Sequence, residues 1–180
     1  MAGAAGLALA GGVEDQRVAD SRITVEYFMG ELKGALLGAM TREGPAAAIE
    51  VCNRKAPALA AEISHLTGWR VGRTSLKPRN PNNAPDAWER RVLKRFEHAR
   101  AQGADPRKLE FHEMVKTGGG FAWRYMKAIP TGGVCLSCHG SEIAEPVSAR
   151  LQALYPEDPA TGFQVGDVRG AFSITQPIAN

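Results

Sequence analysis

Only three cysteines occur among 180 residues: Cys52, Cys135 and Cys138. Three cannot all pair, which argues against a disulfide-stapled scaffold. No run of 18 apolar residues occurs, so no segment reads as a transmembrane helix. Catalytic signatures are missing as well. There is no Ser/His/Asp set, no paired-carboxylate pattern and no phosphate-binding glycine loop, Gly118–Gly120 reading as a turn. An enzyme is therefore not expected. The net charge is only +3, but the charge is unevenly spread. Arg70, Arg73, Lys77, Arg79, Arg90, Arg91, Lys94 and Arg95 face only Asp86 and Glu89 in that stretch, a local +6 that leaves −3 elsewhere. No nucleic-acid motif accompanies this patch, so nucleic acid is not an expected partner. Anionic groups of a cofactor, or an acidic protein, suit it better.

What is present centres on Cys135-Leu136-Ser137-Cys138-His139-Gly140. A Cys-x-x-Cys-His run reads as a c-type haem attachment site. Two thiols about one helical turn apart can add to the two vinyl groups on one edge of a porphyrin, and the imidazole after them can ligate the iron. Cys135 and Cys138 are thus the expected thioether positions of one covalent haem c, and His139 is the expected proximal ligand. Gly140 is expected to leave room for backbone close to the macrocycle. The rival readings are a redox dithiol, which would open a helix after a buried strand, and half a zinc site, which would need a second ligand pair. Neither accounts for His139. Covalent haem attachment in bacteria normally takes place outside the cytoplasm, so a periplasmic or otherwise exported location is expected. Residues 1–12 are small and apolar and read as the end of an export signal, without its positive n-region. Residues 13–180 then form a single domain.

Periodicity predicts a helix over 13–40, with Val18, Ile23, Val25, Phe28, Leu32, Leu36 and Met40 on its apolar face. A second helix is expected over 45–67, opened by Pro45, kinked or divided at Pro57 and ended by Gly68, with Ile49, Cys52, Leu59 and Ile63 buried. A short strand over 69–75 leads to the irregular loop 77–85, which needs side-chain bonds to be ordered. A basic helix comes next, to about Ala101, with Trp88, Val92, Leu93 and Phe96 inward. Alternation over 109–116 and 121–126 about Thr117–Gly120 predicts a hairpin whose stripe of Phe121, Trp123 and Tyr125 reads as sheet core. A helix over 141–154 and a strand over 168–176, with Val168, Phe172 and Ile174 on one face, complete the chain. Helices first and then strands argue for an α+β fold with an antiparallel sheet. With the haem motif fed by a hairpin, this is closer to a PAS-like arrangement than to an all-helical cytochrome c.

Several stretches carry a resemblance: Ala47–Asn53 with Ala56-Pro57, Val71–Lys77, Arg79–Glu89, Cys135–Gly140 and Gly166–Ser173. Together they resemble a family of secreted c-type haem domains with a PAS-like fold, long catalogued as a domain of unknown function. The resemblance spans roughly residues 25–177. It implies a redox- or gas-responsive haem sensor. It also implies that the sixth iron ligand is a cysteine from the helical N-terminal part, and Cys52 stands at the matching position.

Read from the residues alone, Cys52 is first a small buried hydrophobe and only second an iron ligand. Met126, on a strand leading to the haem motif, is the rival sulfur. His65, His98 and His112 read as surface or packing residues. Arg73, Lys77 and Arg79 either pair with the haem propionates or belong to a solvated loop. For function, a haem sensor that answers a redox change or a small gas stands beside a soluble electron-transfer cytochrome c. The second would dock an acidic redox partner on Arg90, Arg91, Lys94 and Arg95.

Overall fold

A computed structural model describes residues 4–178, with side chains from residue 12 onward. Residues 1–3 of the expected export remnant lie outside the described residues. Helix α1 spans Ala4–Glu43, longer at both ends than expected. Val18, Val25, Phe28, Leu32 and Ala39 are its buried apolar positions, whereas Ile23, expected inside, is 64% exposed. Buried Ser21 stands nearer the core than Ile23 and accepts from Gln176 Nε2 at 3.1 Å. No helix among the described residues is long and apolar enough to cross a membrane.

Gly44, at φ 85°, turns the chain into α2 (Pro45–Glu50). Pro57 does divide the second helix, and the device is a π-helical turn over Val51–Lys55 that precedes α3 (Ala56–Thr67). Proline has no N–H and crowds the carbonyl four residues back. Widening the turn, with Ala56 N–H reaching Val51 O, lets the chain stay helical around it. Gly68 ends α3 in the left-handed conformation at φ 69°.

Strand β1 (Arg70–Thr74) leads into the Asn/Pro loop, which side chains do hold. Asn80 Oδ1 accepts from Asn82 N–H at 3.0 Å, and Ser75 N–H closes the loop on Asn83 O at 3.1 Å. Asp86 and Glu89 then form a capping box on α4 (Ala87–Ala101). Strands β2 (Glu110–Thr117) and β3 (Gly120–Pro130) make the expected hairpin about Gly118-Gly119. Helices α5 (Leu136–His139) and α6 (Glu145–Leu154) come after it, then β4 (Val168–Ile178). The fold is α+β, with one antiparallel sheet in the order β1-β4-β3-β2.

Helices α1 and α3 cover one face of the sheet, packing Phe28, Leu32, Leu59 and Ile63 on Val71, Trp123, Tyr125, Phe172 and Ile174. Helix α4 covers the other, packing Trp88, Val92, Leu93 and Phe96 on Met126, Ala128, Val168 and Ala171. Val168 is therefore not on the face of Phe172 and Ile174, as simple alternation predicts. A β-bulge is the reason: Ile129 pairs with Gly170 but Pro130 with Val168, so Arg169 is the extra residue and the face reverses. Phe121 also departs from the expected core stripe, being 51% exposed near the hairpin turn, while Trp123 and Tyr125 are buried.

One polar node ties α1 to the hairpin. Glu110 accepts from the Tyr125 hydroxyl at 2.8 Å, from Arg22 Nε at 3.1 Å and from Lys127 Nζ at 3.4 Å. The Arg22 guanidinium holds the Glu110 carboxyl down to about 2, and burial raises the Tyr125 phenol above its ordinary value. A carboxyl more acidic in the fold than in the unfolded chain stabilises fully above its ordinary pKa. That contribution is lost as pH falls from about 4.5 through about 2. Glu110→Gln should remove about 2 kcal/mol at neutral pH and flatten the acid limb of the stability profile. Urea unfolding of both proteins from pH 7 to pH 2.5 measures it.

Candidate functional site

The end of β3 delivers the chain into a 3₁₀ turn over Gly133–Cys135 and then α5, which places Cys135 and Cys138 one turn apart. All three cysteines are free and half-buried. Burial pushes the Cys138 thiol up. His139 Nδ1 lies 2.7 Å from the Ala160 carbonyl oxygen, which can only accept. The proton is therefore on Nδ1, and Nε2 keeps its lone pair. Burial, with Arg169 and Arg79 nearby, drives the His139 pKa down to about 2, so the imidazole is neutral at any ordinary pH.

The segment after α6 is zipped to this helix. Phe163 N–H donates to His139 O at 2.9 Å and Gly162 N–H to Gly140 O at 3.0 Å. The Phe163 ring meets the imidazole edge-on, 6.2 Å between centres. Gly140 owes its identity to its own turn: a Cβ there would lie 2.8 Å from Leu136 O and 3.4 Å from Leu136 Cβ. The expected clearance for a macrocycle is not needed to explain it.

Three arginines reach the site from three elements. Arg169, freed by the bulge, lies with Nε 3.3 Å and 3.5 Å from the two imidazole nitrogens, of which only Nε2 can accept. Its Nη1 donates to Ser75 Oγ at 2.9 Å and to Lys77 O at 3.2 Å. Burial lowers the Arg169 pKa to about 10 and lowers that of Arg73 on β1 as well. Neither makes an ion pair among the described residues, so two desolvated cations stand without a carboxylate. Arg79, read either as a propionate partner or as part of a solvated loop, is instead buried and paired within the chain. Its Nε pairs with Asp158 Oδ2 at 2.8 Å, and its Nη2 donates to Cys138 O at 2.5 Å and Ala160 O at 3.2 Å. Lys77 is exposed and lies with Nζ 5.3 Å from the centre of the Phe163 ring.

The two sulfur candidates separate. Met126 is fully buried in the α4 core among Trp88, Val92 and Ala128, on a face covered by apolar side chains. Cys52 sits on the π-helical turn, within electrostatic reach of Arg73, Cys138, Tyr155 and Arg169, which brings it into the neighbourhood of the site. Of the remaining histidines, His65 and His98 are exposed and His112 stacks on Trp123 at 4.8 Å. Among the described residues no group of three or more His, Cys, Asp or Glu side chains is gathered as a cage for a bare metal ion.

The donor set fits a haem. Two free thiols stand one turn apart, on the 3₁₀ turn and on α5, with one neutral imidazole beside the second. A main-chain carbonyl orients the imidazole, and two half-buried guanidinia without an ion pair among the described residues can meet anions such as carboxylates. Sequence reasoning did not single out Arg169, Asp158, Tyr155 or the Ala160 carbonyl. Arg169 lies inside the Gly166–Ser173 stretch that carries the resemblance, but only the bulge reveals where it points. A carbonyl leaves no side-chain signature at all.

Fold and site together define an α+β domain built around a Cys-x-x-Cys-His helix. The chain belongs to the Tll0287-like family, whose model, described as Tll0287, matches residues 13–177. A solved structure similar to it is that of the cyanobacterial heme-protein Tll0287, at 31% identity and a TM-score of 0.65, covering 89% of this chain and 97% of that one. Among curated proteins none matches.

Gly140→Ala should lower stability by about 1–3 kcal/mol, because the clash is with backbone that cannot rotate away. Thermal unfolding would register it as a lower Tm; an unchanged Tm would mean that the turn relaxes freely.

Proposed function

We propose that this chain binds one haem covalently and works as a redox or gas sensor. Cys135 and Cys138 would carry the thioethers, and His139 would be the proximal ligand through Nε2. The observation that carries the reading is the neutral His139, with Nδ1–H turned onto Ala160 O, beside two free thiols one turn apart, on the same helix and the 3₁₀ turn before it. The name of the similar solved protein, a heme-protein, supports it further. Arg73 and Arg169 are the candidates for the propionates. Cys52 is the candidate sixth ligand, supported by its position and by the loss of Met126 to the α4 core. Thioether formation implies an exported, periplasmic-type location.

When bound, the haem supplies an iron that favours thiolate in the ferric state, since thiolate pushes electron density onto the metal. The chain's part is to hold Cys52 on an irregular turn rather than in a regular helix. A ligand on such a turn can leave and return, which gives the two states a switch requires. The second reading, an electron carrier, draws on the exposed Arg90, Arg91, Lys94 and Arg95 of α4 as a docking face for an acidic redox partner. A carrier gains from fixed ligands in both oxidation states, and an irregular turn favours the sensor. A binding role, not a catalytic one, is proposed in both cases.

Denaturing mass spectrometry of protein made with haem-attachment machinery should show the added mass of one haem, lost in the Cys135→Ala/Cys138→Ala variant. Ferric Cys52→Ala should lose the low-spin thiolate spectrum. The ferrous protein should bind carbon monoxide readily. A ferrous spectrum indifferent to carbon monoxide would favour the carrier instead.

A further inference from the structure

We propose that Arg79 is a positioning residue that sets how strongly His139 donates electrons, acting through the Ala160 carbonyl. The inference rests on the haem reading and assigns a role to an ion pair that reading does not use. Arg79 and Asp158 are 8% and 9% exposed, so their pairing is shielded from water. Asp158 holds Arg79 Nε on Oδ2 at 2.8 Å and Ala160 N–H on Oδ1 at 2.8 Å. Arg79 Nη2 donates to Ala160 O at 3.2 Å, the same oxygen that receives His139 Nδ1–H at 2.7 Å. One buried ion pair thus touches the residue-160 segment on both sides. Arg79 Nη2 also holds the Cys138 carbonyl at 2.5 Å, fixing the backbone immediately before His139.

A carbonyl oxygen has two lone pairs and can accept both donors. The second donor is a cation, and it draws on the same electron density that receives the imidazole proton. Arg79 therefore weakens Ala160 O as an acceptor and keeps His139 closer to neutral imidazole than to imidazolate. Outer hydrogen bonds of this kind tune a ligand's basicity and with it the metal. Without Arg79 the carbonyl accepts more strongly and a nearby positive charge is gone. Both changes favour the ferric state. Without the Asp158 charge, Arg79 stands unneutralised while an asparagine oxygen can still receive Ala160 N–H. That change favours the ferrous state.

The two substitutions therefore move the potential in opposite directions, whereas a mere lock between segments would be broken by both and move it in one direction. Spectroelectrochemical titration of the holoprotein and of Arg79→Gln, Arg79→Lys and Asp158→Asn measures this. Arg79→Gln should shift the ferric-to-ferrous ratio at fixed potential about tenfold toward ferric, a fall of about 59 mV for a one-electron couple. Arg79→Lys should recover more than half of that shift, and Asp158→Asn should raise the potential. Shifts of the same sign in Arg79→Gln and Asp158→Asn, or none in either, overturn the proposal. Should Arg79→Gln fail to accumulate, a fall or no change in Asp158→Asn overturns it alone. Unmodified protein without covalent haem would instead remove the haem reading. In the haem-free chain the His139 Nδ1–H proton resonance should then move downfield in Arg79→Gln, and an unmoved resonance overturns the role of Arg79 independently.

Discussion

Pairing of β3 with β4 is the constraint on which both the core and the site depend. These are the two central strands of the sheet, with β1 and β2 as its edges, and each contributes buried residues to both faces. Regular register over Phe121–Ile129 fixes which residues meet α1 and α3 and which meet α4. The single irregularity, at Ile129/Pro130, falls at the end from which the chain leaves for Cys135. Bulges bend a strand and re-aim side chains. Here the extra residue is Arg169, which reaches His139. Gly170 beside it allows the close approach of β1, since a Cβ would strike Thr74 O. The same local defect therefore ends the regular pairing and brings a cation to the imidazole.

Electrostatically the site is lopsided. Arg73, Arg79 and Arg169 converge on it from β1, the loop after β1 and β4, and of the three only Arg79 forms an ion pair among the described residues, with Asp158. A withdrawn cation is tolerated when its donors are filled, and Arg79 is the case in point, with a carboxylate and two carbonyls. Arg169 is partly satisfied, by Ser75 Oγ and Lys77 O, and leans on the Phe163 ring at 5.2 Å. Among the described residues Arg73 has no such set of side-chain partners. The gradient runs from Arg79, which is architecture, to Arg73, whose guanidinium is the least engaged of the three. The neutral imidazole follows from burial first, and the three nearby cations add to it by making a fourth positive charge unfavourable.

Much of this was legible in the sequence wherever one local rule decides the outcome. The capped helix α4, the hairpin about Gly118-Gly119 and the Cys-x-x-Cys-His helix each carry their own signal within a few residues. Errors arose where a long-range event changes a local pattern. Val168 reads onto the face of Phe172 and Ile174 until the bulge shifts its phase. Ile23 fits the spacing of an apolar face but lies outside the arc that α1 presents to the sheet. Phe121 alternates correctly yet stands near the exposed end of the hairpin. Arg79 reads by its charge, as a propionate partner or a solvated loop residue, and Met126 by its nearness to the haem motif along the chain. Their actual neighbours, Asp158 in one case and the α4 core in the other, come from distant segments.

The π-helical turn shows how a rule can be right about a break and silent about its consequence. In an uninterrupted helix Ile49, Cys52, Ala56, Leu59 and Ile63 would fall on one stripe, with steps of three and four residues. The wider turn over Val51–Lys55 inserts a residue and rotates α3 out of phase with α2. Ile49 accordingly packs with Val147, Leu151 and Tyr155 of the α6 region, against which Cys138 also rests, while Ala56, Leu59 and Ile63 pack on the sheet. Cys52 lies at the handover between these two clusters, half-buried and a full member of neither. At the seam its sulfur is near Tyr155, Arg73 and Cys138, which is where a thiol has chemistry available to it. Pro57, by favouring the wide turn, is thus the residue that takes Cys52 off the core stripe and leaves it half-buried beside Tyr155, Arg73 and Cys138.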